Sequence, residues 1–161
     1  MRLFLFISLL FATCKLPAQN AGGQTYLFWQ QQLNETVLAA KPSCFTFSKT
    51  HLLFIGAGSS VYCYNGLSAS VLPLPAMKPS PVTAVCADKN NTMWVGFQNG
   101  SIVTTAQQTA ELFNPEEGLP KSSISKLLFD ADNRLWFATQ GEGIYVQHKG
   151  KLYNINTDDG L

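Results

Sequence analysis

Gly118-Leu119-Pro120, then Asp130-Ala131-Asp132-Asn133-Arg134-Leu135-Trp136-Phe137-Ala138-Thr139, then Gly141-Glu142-Gly143: the reading of this stretch decides the fold. Forty-two residues earlier in the chain stands Asp88-Lys89-Asn90-Asn91-Thr92-Met93-Trp94-Val95-Gly96, followed by Gln98-Asn99-Gly100. Aspartate, turn asparagine, bulky apolar residue, tryptophan, apolar residue and small residue all fall in step. The same spacing of 42 carries Glu117-Gly118-Leu119 to Asp159-Gly160-Leu161. Short β-type runs that repeat about every 40 residues are the signature of propeller blades.

The best unit reads as four strands. Ile124 to Phe129 is a mostly apolar run, followed by a polar turn, Leu135 to Thr139, the turn Gln140 to Gly143, and Ile144 to His148. Lys149-Gly150 makes a further turn before Leu152 to Ile155. Tight turns between runs of this length specify an antiparallel four-stranded sheet. Asn91 and Asn133 fall at the first hairpin, where a positive φ is favoured, and Asp88 and Asp130 suit an Asx-type closure of the same turn. Gly100, Gly141 and Gly143 suit the second hairpin.

A weaker copy comes first. Leu53-Phe54-Ile55-Gly56 matches Met93-Trp94-Val95-Gly96 at a spacing of 40, with Phe54 for tryptophan. Cys44 to Phe47 is its expected first strand, Val61 to Tyr64 its third and Val71 to Leu74 its outer strand, confined to an edge by Pro73. Upstream, Thr25 to Phe28 resembles an outer strand without its blade, suited to completing a final blade. A short helix over Trp29 to Leu38 is the alternative for that region. The sequence therefore predicts an all-β partial β-propeller of about three four-stranded blades, with repeats near 40–75, 80–112 and 120–156. Asp88, Trp94, Gly96, Gly118, Leu119, Asp130, Leu135, Trp136, Gly141 and Gly143 are the structural repeat positions, with Trp94 and Trp136 expected buried. A propeller closes with four blades or more, so the array is expected to continue beyond residue 161.

Residues 1–19 read as a secretory signal peptide: Met1-Arg2, an apolar run from Leu3 to Ala12, then a polar exit. That run is too short to span a bilayer. A lipoprotein centred on Cys14 is a weaker alternative, because Thr13 stands where a small residue is usual. Without Arg2 and Lys15, nine basic residues face ten acidic ones. A balance near −1 argues against a nucleic-acid or anionic-membrane surface. Cys44, Cys63 and Cys86 form neither a disulfide framework nor a zinc pattern. Their place in strands suits small buried apolar residues, with a Cys44–Cys63 bridge as the alternative in an oxidising compartment.

Gly118-Leu119-Pro120, Ser122-Ser123-Ile124, Asp130 to Thr139 and Gly141-Glu142-Gly143 together resemble the two-component regulator propeller repeat. The chain departs from that pattern at Asn133, Ala138 and Glu142. The copy at 82–103 keeps Asp88, Trp94 and Gly96, and the first copy lacks the tryptophan. The resemblance implies the periplasmic sensor region of a bacterial two-component receptor, whose parent carries further blades, a membrane span and a histidine kinase. It also implies an oligosaccharide or other small ligand, the remaining blades as partners, and a homodimer in the full receptor. A freestanding secreted propeller acting as a binding or scaffold protein is the rival reading.

Catalytic chemistry finds no foothold in the sequence. Asp130 to Asn133 lacks the glycine and terminal carboxylate of a calcium loop. Glu116 and Glu117 are adjacent and point apart on an extended segment. His51 and His148 have no ligand spacing and no nucleophile nearby. Trp94 and Trp136 recur at one strand position, which suits a repeating packing residue better than a sugar platform. No enzyme activity, cofactor or metal is therefore assigned. The candidate ligand-binding residues are the loop groups Gln98, Asn99, Gln140 and Glu142, beside the connector from Asn114 to Lys121.

Overall fold

The computed structural model describes residues 37, 39–106, 109–115 and 118–160. The segments read as signal peptide and as closing strand lie outside the described residues. Val37 and Ala39 are helical, so the C-terminal end of the 29–38 alternative is helix, and the rest of that run is outside the described residues.

Three antiparallel sheets follow one another along the chain. Blade one holds β1 (Pro42–Phe47), β2 (Leu53–Ala57), β3 (Ser60–Tyr64) and β4 (Ala69–Val71). Blade two holds β5 (Val82–Ala87), β6 (Met93–Phe97), β7 (Ile102–Ala106) and β8 (Thr109–Leu112). Blade three holds β9 (Ile124–Phe129), β10 (Leu135–Thr139), β11 (Ile144–His148) and β12 (Lys151–Ile155). Each sheet runs in sequence order, every strand pairing with its predecessor. Such up-and-down meanders are what two- to four-residue turns allow. The chain is an all-β partial propeller.

Local chemistry fixes the first hairpin of each blade. Asn91 and Asn133 sit at φ 62° and 59°. Asp88 Oδ1 accepts the amides of Asn90 and Thr92, and Asp130 Oδ1 those of Asp132 and Arg134. Blade one makes the same turn with other residues. His51 takes the left-handed position at φ 62°, and Ser48 Oγ accepts the Leu52 amide. The substitution of Ser-x-x-His for Asp-x-x-Asn hid that turn in the sequence.

The first strands stand side by side, β5 against β1 and against β9. Each first strand carries an irregularity at its second residue: Ser43, Thr83 and Ser125. Ser43 Oγ donates across the joint to the Val82 carbonyl at 2.7 Å. The core lies between blades. Phe54, Val61, Val82, Val85, Val95 and Phe97 fill the first joint, and Ala84, Ile102, Ile124, Leu127, Leu135 and Phe137 the second. Each fully buried side chain of this kind contributes about 1.5–3 kcal/mol. Close approach requires two glycines: a methyl on Gly56 would stand 2.6 Å from Val82 Cγ1, and one on Gly96 2.6 Å from Ile124 Cγ2.

Three expectations are corrected. The outer strand of blade one is Ala69–Val71, not 71–74, because Pro73 has no N–H to pair; Leu72 and Leu74 pack on the core instead. Trp94 and Trp136 hold equivalent second-strand positions but are half-buried. Trp94 is covered by the edges of Phe113 and Phe129, whereas no sheet among the described residues covers Trp136. The cysteines are free, and β2 separates Cys44 from Cys63, which pair with Gly56 and Phe54 respectively. Burial pushes the Cys86 thiol up to about 12, and the Asp88 carboxylate adds to it.

Candidate functional site

The turns between second and third strands present Gln98 with Asn99 in blade two and Gln140 with Glu142 in blade three. Each turn is tied to the segment entering its own blade. The Gln98 amide donates to the Pro81 carbonyl at 2.9 Å, and the Gln140 amide to the Ser123 carbonyl at 2.9 Å. The Asn99 amide donates to Ser80 Oγ at 3.2 Å, and Asn99 Oδ1 accepts the Ser101 amide. A methyl on Gly100 would strike the Pro120 carbonyl, so the blade-two turn abuts the connector into blade three. All four predicted residues therefore share one rim.

Glu142 binds that connector. Its Oε1 accepts the Lys121 amide at 3.1 Å, the Ser122 amide at 2.9 Å and the Ser122 hydroxyl at 2.6 Å. Tyr145 donates its hydroxyl to Oε2 at 3.2 Å. The Ser122 hydroxyl, against some opposition from burial, then the Ser122 amide, Tyr145 and the Lys121 amide hold the carboxyl below its usual range. Burial and the adjacent Glu142 charge raise the Tyr145 phenol. Carboxylates that accept several donors stay ionised and stay put. Glu142 anchors the Gly118-Leu119-Pro120 connector, a role invisible in the sequence because its partners lie 20 and 21 residues upstream.

Beside this anchor is a groove of about 340 Å³, lined by Leu119, Lys121, Glu142, Tyr145, Leu152 and Asn154 among others. Tyr145 is braced from behind by Phe137, stacked at 5.1 Å and 3°. The groove thus joins an apolar floor of two leucines and a fixed aromatic ring to a rim of amide, ammonium and carboxylate groups. Asn154 Nδ2 is spent on the Glu142 carbonyl, while Gln140 is exposed. Such a surface suits hydrogen bonding and stacking to a small polar molecule. Trp136 lies at the far end of β10 from Gln140, so Tyr145 is the aromatic ring within reach.

The opposite end of blade three holds Asp130. Its Oδ2 accepts Arg134 Nε at 2.6 Å and Trp136 Nε1 at 2.8 Å. Despite the opposing effect of burial, the Arg134 amide, the Trp136 indole and the Arg134 guanidinium lower its carboxyl to about 2. Both oxygens are occupied by the turn itself. Among the described residues no group of three or more His, Cys, Asp or Glu is gathered as for a metal ion.

Residues 76–99 and 118–141 match the model of the two component regulator propeller family. The chain carries two-component regulator propeller repeats. The matched segments take in the first hairpins of blades two and three, with their aspartates and tryptophans. No curated protein matches the sequence.

Among solved structures, the repeats superpose on extracellular domains of two hybrid two component systems from B. thetaiotaomicron. One is 20% identical with a TM-score of 0.58, over 71% of this chain and 16% of that one. The other is 14% identical with a TM-score of 0.66, over 80% and 20%. A virginiamycin B lyase from Staphylococcus aureus is 15% identical with a TM-score of 0.60, over 72% and 42%. At these identities the likeness is one of fold. The chain spans about a sixth to a fifth of the two ectodomains and about two fifths of the lyase. No helix among the described residues is long and apolar enough to cross a membrane.

Proposed function

We propose that the chain is the N-terminal, periplasmic part of the ligand-sensing propeller of a bacterial two-component receptor. In this reading a signal peptide exports it, further blades complete the propeller, and the parent carries a histidine kinase beyond a membrane span. The match of two blades to the regulator propeller model carries the reading. The ligand is an oligosaccharide or another small polar molecule held on the rim of Gln98, Asn99, Gln140 and Glu142. Support comes from the groove beside Glu142, where Tyr145 offers a ring face and the rim offers paired donors and acceptors. The propeller itself performs no catalysis.

The rival reading, a freestanding secreted propeller, draws on the likeness in fold to a lyase of which this chain covers a larger share. The reading frame beyond residue 161 decides between them: a membrane span and kinase motifs are expected, and their absence favours the rival. Ligand contact is tested by calorimetry on the receptor with Gln140→Ala. Losing one or two hydrogen bonds weakens binding by about 1–3 kcal/mol, roughly 5- to 150-fold in dissociation constant. Unchanged affinity would move the site to another blade or to the opposite rim.

A further inference from the structure

We propose that two copies of this chain join head to tail, the outer face of blade three of each seating on the outer face of blade one of the other, in a closed ring of six blades. The proposal is independent of ligand sensing and rests on the two joints already present in the molecule.

Those joints share one design. A glycine of the second strand, Gly56 or Gly96, receives a branched residue from the start of the next blade, Val82 or Ile124. In the second joint the Trp94 ring also receives the edge of Phe129 at 5.4 Å. The repeat spacings place Pro42, Phe45 and Phe47 where blade two has Val82, Val85 and Ala87, and where blade three has Ile124, Leu127 and Phe129. In blades two and three these residues press on the preceding blade. In blade one Phe45 is 69% and Phe47 61% exposed. Two large aromatic rings thus stand in solvent at the positions that elsewhere fill a joint.

The other end of the arc offers the matching half. Leu128, Trp136, Ala138 and Ile144 frame an apolar groove of about 320 Å³ on the outer face of blade three, and Leu128 is 45% exposed. Trp136 stands where Trp94 stands, so Phe47 of a second copy reaches it as Phe129 reaches Trp94. Ala138 replaces the joint glycine and adds a methyl. Its partner by register is Pro42, which is smaller than Ile124, so the added volume on one side is offset on the other. Lys126 is the charged residue at this groove, and its long stem lets the ammonium reach water.

The occupant is a second copy because the open faces are the two halves of one joint, carried at opposite ends of one arc. A second copy fills both at once and leaves neither exposed. Two copies supply six blades, within the usual range of four to eight for closed propellers. A heterologous contact of this kind terminates when its rotation closes a ring.

Sedimentation equilibrium of the exported chain across the micromolar range tests it. The expected result is a single dimer mass. Phe47→Asp and Leu128→Asp alter exposed side chains, so circular dichroism and the urea midpoint should stay those of the parent chain. Each variant alone should dissociate at least about tenfold more readily, some 1.4 kcal/mol. An equimolar mixture of the two variants should recover a dimer, since one copy keeps its head and the other its tail. A monomer at every concentration, a ladder of higher masses, or failure of the mixture to recover would each overturn the closed head-to-tail pair.

Discussion

Blades two and three carry the same aspartate and tryptophan, 42 residues apart, and put them to different use. In blade three Asp130 closes its turn with one oxygen and holds both Arg134 and Trp136 with the other. Arg134 also lies 5.9 Å over the Trp136 ring. In blade two Asp88 makes the same closure, but the Trp94 indole N–H is buried without a partner. Its ring lies instead between Phe113 and Phe129. The residue at the arginine position there is Thr92. The difference teaches which force places a repeated side chain. Where the next blade covers the ring, aromatic contact and buried area outweigh a lost hydrogen bond. Where no described sheet covers it, a charge-assisted network holds it.

Truncating the two tryptophans should give the largest contrast. Trp94→Ala empties a site filled from both sides and should cost about 3 kcal/mol, against about 1–2 kcal/mol for Trp136→Ala, as urea midpoints would show. Equal costs would mean that the covering blade adds nothing. The small residue two positions on sharpens the same point. Gly96→Ala forces a methyl onto Ile124 and should cost about 1–3 kcal/mol, whereas Ala138→Gly should cost no more than about 1 kcal/mol. A neutral Gly96→Ala would show that the joint yields more easily than its geometry implies.

Subtler changes reach the polar half of the comparison. Trp94→Phe removes an unpartnered N–H and should shift stability by less than about 1 kcal/mol, while Trp136→Phe breaks a bond to Asp130 and should cost more. The Asp130 carboxyl is lowered from an ordinary 3.8 to about 2 in the folded state. A lowered folded value stabilises the fold above the unfolded value and is lost as pH falls through the folded one. The stability gap between the parent chain and Asp130→Asn should therefore be full above about pH 5 and shrink toward pH 2. A gap that stays constant from pH 6 to 2.5 would remove Asp130 from the network.

The sequence announced β9 and β10 to the residue, together with the left-handed asparagines and the Asx closures. All of these are set within a few residues of chain: turn φ, a carboxylate two to four residues from its amide, and apolar runs of fixed length. It announced the first blade less well, because Ser48 and His51 fill the turn roles under different names. The outer strand at Ala69–Val71 was displaced because its apolar residues Leu72 and Leu74 serve the joint rather than the sheet. At the candidate rim, the sequence supplied Gln98, Asn99, Gln140 and Glu142 as turn residues but not what Glu142 holds. Tyr145 was read only as part of a strand, and its alternation with Ile144 and Val146 held no sign that it lines a groove.

What the sequence determined by itself is the blade: its strands, its turns and its period, since each is written in neighbours along the chain. The joints were decided only in three dimensions. Whether a tryptophan is covered or open, whether a glutamate grips a connector, and whether two cysteines can meet all depend on which sheet lies next to which. Contacts of that kind come from packing between surfaces some 40 residues apart, and no local pattern encodes what the facing surface will be.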